Sequence, residues 1–138
     1  MLTDPTLALQ AAISELLLAD PDVASLVDDR ILDKIPNTPV FPYVSFGEFQ
    51  MLPELGEGTD AAQSFVTLHT WDRFKSSRAT KGLARAIIAA LHDQDIAIDG
   101  GAVQSLLLDS SRVLPDPDGL TSHGVLTFQI LTDANTVP

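Results

Sequence analysis

The sequence predicts an α+β fold in which an antiparallel sheet of about four strands, arranged as two long hairpins, is covered on one face by two main helices and one short helix. Two stretches, 7–19 and 83–91, carry apolar residues at helical spacing. Four runs, 43–50, 64–71, 103–113 and 120–131, are rich in β-branched, aromatic and other apolar residues. The runs fall into two pairs, each joined by polar residues with glycine, and antiparallel hairpins with separate helices form a sheet covered on one side.

Asp4 followed by Pro5 opens the first helix, with the carboxylate placed to cap free amides and the proline in the first turn; Leu9, Ile13, Leu16 and Leu17 form its stripe, which runs to about Ala19. Asp20-Pro21 repeats the signal and starts a two-turn helix carrying Val23, Leu26 and Val27. Residues 30–33 are a possible extra short strand. Pro36, Pro39 and Pro42 each remove a backbone donor, so residues 35–42 are an extended loop.

The polar segment 52–62 between the first two strands is longer than a plain hairpin needs and reads as an arm that orders on a neighbour. Phe65, Val66, Leu68 and Trp71 put apolar groups on both faces of the second strand, so one of those faces is a candidate interface. Ser76 or Ser77 can cap the third helix, whose apolar face is Leu83, Ala84, Ile87, Ile88 and Leu91. Asp99-Gly100-Gly101 makes a turn. Residues 115–119 join the last two strands, and Leu126, Phe128 and Ile130 alternate cleanly in the final one. With 138 residues and no abrupt shift of composition, a single domain spans 1–138, frayed at about 133–138.

Composition narrows the function. Eight Lys plus Arg against nineteen Asp plus Glu give a net charge of -11, a field that repels nucleic acid. The absence of cysteine excludes disulfides and thiolate metal sites. The apolar part of the first helix is too short for a membrane span, and the first residues lack the basic start of a secretory signal, so the product is expected to stay in the cytoplasm where it is made.

Catalytic signatures are missing: there is no phosphate loop, no nucleophile elbow and no histidine pair at metal-binding spacing. His69, His92 and His123 sit on separate elements and read as structural or surface histidines. The acidic run 116–119 reads as a tight turn, because calcium loops need a longer series of spaced oxygen ligands. No catalytic, cofactor or metal residue is therefore expected. Arg73, Lys75, Arg78, Lys81 and Arg85 form a basic patch entering the third helix, where positive charge opposes the helix dipole, so helix stability does not account for it. Candidate interface residues are Leu52, Glu54, Glu57, Asp60, Phe65, Arg73, Lys75, Arg78 and Arg85, with the hairpin arm and the basic patch meeting an acidic neighbour.

Several stretches in order carry a resemblance: Ala19-Asp20-Pro21 with the segment from Leu26 to Ile31, then Phe41-Pro42-Tyr43-Val44-Ser45-Phe46-Gly47-Glu48. His69-Thr70-Trp71-Asp72-Arg73 follows, with Lys81, Ala84 and Leu91-His92 on the helix and the run from Asp116 to Gly124. In these the chain resembles the tail-completion, or tail-terminator, proteins of long-tailed phages, prophages and gene transfer agents, over most of its length. It departs from the pattern at Leu32, where an aromatic is common, and at Pro117, which stiffens the turn.

The resemblance implies a structural virion protein, not an enzyme. It implies a ring, usually of six copies, that caps the tail tube, stops its growth and docks the head connector. The partners are then further copies of itself, the tail-tube protein and a head-side stopper or adaptor, with DNA passing through the hole without specific binding. The alternatives are a head-tail adaptor or stopper of the neck, and a small intracellular enzyme or ligand-binding protein, which would need convergent polar groups in a pocket.

Overall fold

A computed structural model of the chain describes residues 2–54, 60–73 and 78–134. Its elements run α1 (Thr6–Ala19), α2 (Pro21–Val27), β1 (Ile31–Leu32), β2 (Tyr43–Pro53), β3 (Ala61–Asp72), α3 (Arg78–Leu91), β4 (Ala97–Ile98), β5 (Gly101–Pro115) and β6 (Ser122–Asp133). The strands form one curled sheet in the order β1-β2-β3-β6-β5-β4.

The four expected strands and three expected helices are present, but the sheet has six strands. The two additions are two-residue edge pieces. β1 lies within the suspected 30–33 and pairs parallel to β2 at Val44 and Ser45, so the sheet is mixed and not purely antiparallel. β4 folds back on the start of β5, Ala97 opposite Ala102 and Ile98 opposite Gly101, around a turn at Asp99-Gly100 with Gly100 at φ +81°. Two residues are too few to show a strand period, which is why sequence alone passes over β4.

Helix starts follow local chemistry. The Asp20 carboxylate accepts from the N–H groups of Asp22 and Val23, both at 3.0 Å, and Pro21 takes the first position of α2. At α1 the expected proline sits one residue earlier than anticipated: Pro5 is the capping residue, its C=O accepting from Leu9 N–H, while Asp4 accepts from both the N–H and the hydroxyl of Thr6. The suggested serine cap of α3 lies outside the described residues.

The core is one layer between helices and sheet. Leu9, Ile13 and Leu17 of α1, Val23 and Val27 of α2, and Leu83, Ile87 and Leu91 of α3 are fully or almost fully buried. They meet Val66 and Leu68 of β3, Leu106 of β5, and Leu126, Phe128 and Ile130 of β6. The register sets this up, because Val66 pairs with Phe128 and Leu68 with Leu126, so the apolar residues of both central strands share the helix-covered face. Among the described residues no helix is long and apolar enough to cross a membrane.

Both hairpins end at different residues from those expected. β2 and β3 stay paired as far as Pro53 with Ala62, and Glu54 N–H reaches Ala61 C=O, so the two ends of the 52–62 segment are strand, while residues 55–59 lie outside the described residues. The turn 116–121 is closed by its own acids. Asp118 accepts from Leu120 N–H, Thr121 N–H and the Thr121 hydroxyl, while Asp116 accepts from Asp118 N–H, and Gly119 takes φ +73°. Those bonds hold the Asp118 carboxyl below the usual carboxylate range. The same turn leaves Leu120 exposed and delays β6 to Ser122.

Candidate functional site

Among the described residues, three surfaces stand out as left without a covering layer. The first is the sheet face away from the helices. Along β3 the residues Gln63, Phe65, Thr67, His69 and Trp71 alternate with the buried set and are all partly exposed, as are His123, Val125, Thr127, Gln129 and Leu131 of β6. Gln63 donates to Gln129, and the hydroxyls of Thr67 and Thr127 share a hydrogen bond, so polar cross-strand pairs run down this face.

At one end of that face the rings gather. Trp71 stacks on His123 with ring centres 3.8 Å apart and planes within 9°; His69 lies beside both, and its Nδ1 is 2.6 Å from Nε2 of His123, one ring donating to the other. Trp71 Nε1–H donates to the Ser45 hydroxyl, and Tyr43 packs between Trp71 and Phe41. Partial burial pushes the titration of both histidines below its ordinary value, and for His123 the neighbouring His69 adds to the effect. Both shifts favour the neutral rings at pH 7, and the hydrogen bond requires that the accepting nitrogen carry no proton. Gly47 makes room for it: a Cβ there would stand 2.5 Å from His69 Nε2.

Sequence spacing gave no hint of this pair, since 54 positions separate the two histidines and only strand register joins them. His92 has a different use, accepting from Leu108 N–H at 2.9 Å and so tying the end of α3 to β5. Among the described residues no group of three or more His, Asp or Glu is placed to hold a metal ion.

The second surface is a shallow groove of about 380 Å³ between α3 and the end of β5, floored by Ala84, Ile88, Ala89 and Val113 and rimmed by Lys81 and Arg85. The third is α1, which is apolar on both sides: opposite its buried stripe, Leu7 is 81% exposed and Leu18 45%.

The sequence-predicted residues divide among these features. Leu52 and Phe65 lie on the outer sheet face, in neighbouring cross-strand pairs with Gln63 and Gln50. Glu54 is exposed at the end of the β2–β3 hairpin, and Asp60 on the other side of it accepts from Ala134 N–H. Glu57 and Lys75 lie outside the described residues. The described residues of the basic patch stand on two elements. Arg73 is held at the end of β3, its guanidinium 4.4 Å over the Phe41 ring and its Nε–H donating to the Thr121 hydroxyl. Arg78, Lys81 and Arg85, all exposed, line up along one side of α3.

Gly124 is a packing glycine inside β6: a Cβ there would run into the Thr70 hydroxyl. Beneath it the side-chain oxygens Thr70 Oγ1, Asp72 Oδ1 and Thr80 Oγ1 are buried with no hydrogen-bond partner, and burial raises the Asp72 carboxyl above its ordinary range.

Comparison with known proteins gives the family. The family described as tail completion protein gp17 matches residues 11–133. The chain belongs to this family. Its work is accordingly structural and not catalytic, and its place is in a phage-type particle. Among solved structures, the fold is shared with a chain of the virion of a native gene transfer agent particle, at TM-score 0.86 and 22% identity, covering 93% of this chain and 96% of that one. The gp17 protein of bacteriophage SPP1 is also similar, at TM-score 0.60 and 22% identity over 96% of this chain and 94% of that one. No curated protein sequence matches the chain.

Proposed function

We propose that the chain is a tail terminator: copies of it close a ring, of six as the family resemblance implies, that caps the head-proximal end of the tail tube, stops its polymerisation and presents a docking face to the head connector. The observation that carries this reading is the family match over residues 11–133, joined to a fold with three uncovered surfaces. A one-layer core leaves a sheet face, a helix stripe and a groove free, and one chain presenting several different surfaces can meet a neighbouring copy, a tube and a connector at once. A net charge of -11 suits a channel through which DNA slides without being held.

Within this reading Leu52 and Glu54 of the hairpin meet the Lys81 and Arg85 side of the next copy, with Asp60, Phe65 and Arg78 in the surrounding contact; Arg73 acts by holding the Phe41 and Thr121 segments in place. The test is native mass spectrometry of the purified chain across concentration, with and without the cognate tail-tube protein. A closed ring, alone or formed only on the tube, is expected. A chain that stays monomeric and never engages the tube overturns the terminator reading, and retention on portal-bearing heads in place of tubes would mark a neck adaptor.

A further inference from the structure

The geometry points to a specific contact between copies: the free edge of β5 pairs with the free edge of β2 of the next copy, continuing the sheet from one protomer to its neighbour. This rests on the ring reading and deepens it. Each sheet edge is capped over only part of its length. On the β5 side, β4 covers Gly101 and Ala102, and the turn after α3 covers Leu106 and Leu108, whose C=O and N–H bond to Asp93 N–H and His92 Nδ1. On the β2 side, β1 covers Val44 and Ser45.

Past those covers each strand has a bulge, between Leu108 and Ser110 in β5 and between Phe46 and Phe49 in β2. Alternation of the ladder then decides which backbone groups face outward. In β5 these are the N–H and C=O of Ser111 and Val113; in β2 they are those of Phe49 and Met51. None has a backbone partner among the described residues. Each open run stops at a proline, Pro115 or Pro53, which carries no N–H to offer. The two free runs therefore match in length, two donors and two acceptors each.

Their surroundings are complementary as well. Ser111 and Val113 border the groove floored by Ala84, Ile88 and Ala89, an apolar recess on the helix side of the β5 edge. The helix-side residues of the β2 edge are Phe49 and Met51, partly buried and apolar. Lys81 and Arg85 rim the groove, while Glu48 lies on the outer face of the sheet with Gln50 and Phe65, so the match at the edge is between apolar surfaces. Because the two edges lie on opposite sides of one sheet, the contact is heterologous. It propagates from copy to copy and makes a ring where the rotation per copy closes, as the ring reading requires.

The outward N–H groups make the test clean. Val113→Pro removes an outward donor and blocks the edge without touching a bond of the internal β5–β6 ladder, and Ala89→Arg, at an exposed helix position, fills the groove with charge. With the full chain and the cognate tail-tube protein, both variants are expected to keep the wild-type urea midpoint as monomers. Both should raise the concentration of half-assembly at least tenfold, on the order of the loss of one or two interfacial hydrogen bonds per contact. Should Val113→Pro fail to fold, Ala89→Arg decides. A wild-type ring from which the folded variants assemble within about twofold of normal overturns the edge contact and leaves the ring standing. A wild type that stays monomeric with and without the tube overturns the ring, and the edge contact falls with it.

Discussion

Truncating Leu68 and Leu52 to alanine separates the core from the assembly surface, because the two leucines sit in the same hairpin on opposite faces. Leu68 is fully buried between β6 and the helices, whereas Leu52 is 45% exposed on the outer face. Leu→Ala removes three methylene equivalents, about 2.4 kcal/mol of transfer free energy at about 0.8 kcal/mol each. At Leu68 the surrounding strands and helices cannot collapse into the gap, so a cavity term adds roughly 1 to 2 kcal/mol and the total is about 4 kcal/mol. At Leu52 there is no cavity and about half the transfer term is already forgone to water, which leaves about 1 kcal/mol.

The ordering reverses in assembly. Burying the exposed half of Leu52 in a contact stabilises it by about 1 kcal/mol, so Leu52→Ala should weaken assembly about fivefold while the monomer loses only about a quarter of what Leu68→Ala costs it. The assay is urea unfolding at a concentration where the chain is monomeric, paired with native mass spectrometry at one where it assembles. Equal losses of monomer stability for the two variants would refute the assignment of faces, since they would mean that Leu52 is packed as deeply as Leu68.

Two further predictions concern titration. His69 and His123 have folded-state values below the ordinary histidine value near 6.5, so the unfolded chain binds protons that the folded chain refuses; the contribution is fully present above about pH 6.5 and is lost as pH falls toward the folded values. The urea midpoint should therefore drop between pH 7.5 and 5.5, and His123→Gln should flatten that slope; an unchanged slope would show that the histidine pair is not the titrating unit. Asp72 has the opposite sign, its carboxyl raised by burial, so ionising it opposes folding at neutral pH. Asp72→Asn should raise the urea midpoint at pH 7, with the advantage vanishing as pH falls through the folded value; a midpoint lowered at pH 7 would mean that the carboxylate is paired.

The elements legible in the chain were those whose signal is local. The Asp20-Pro21 start, the stripes of α1 and α3, and the alternation of Leu126, Phe128 and Ile130 each lie within a few residues, and the structure uses them as read. The acids at 116–119 are spent on their own turn, as their spacing suggested. Sequence reasoning faltered where two distant strands decide together. β1 and β4 have too few residues for a period and exist because an edge of a longer strand is there to receive them.

The candidate site divides along the same line. Apolar residues on both faces of β3 already marked one face as surplus to the core, and Leu52 and Phe65 do lie on it. Of the basic residues, close in sequence, Arg73 stands at the end of β3, where Phe41 and Thr121 take it up, and Arg78, Lys81 and Arg85 stand on one side of α3, a division that only the fold supplies. By itself, then, the sequence determined the class of fold, its acidic field and the periodic faces of its elements, because propensity, capping and alternation act over one or two turns. Tertiary structure alone decided that His69 meets His123, that Gly124 yields to Thr70, and that β2 and β5 are left with open edges. Each of those depends on strand register and sheet order, which are set by packing between residues far apart in the chain.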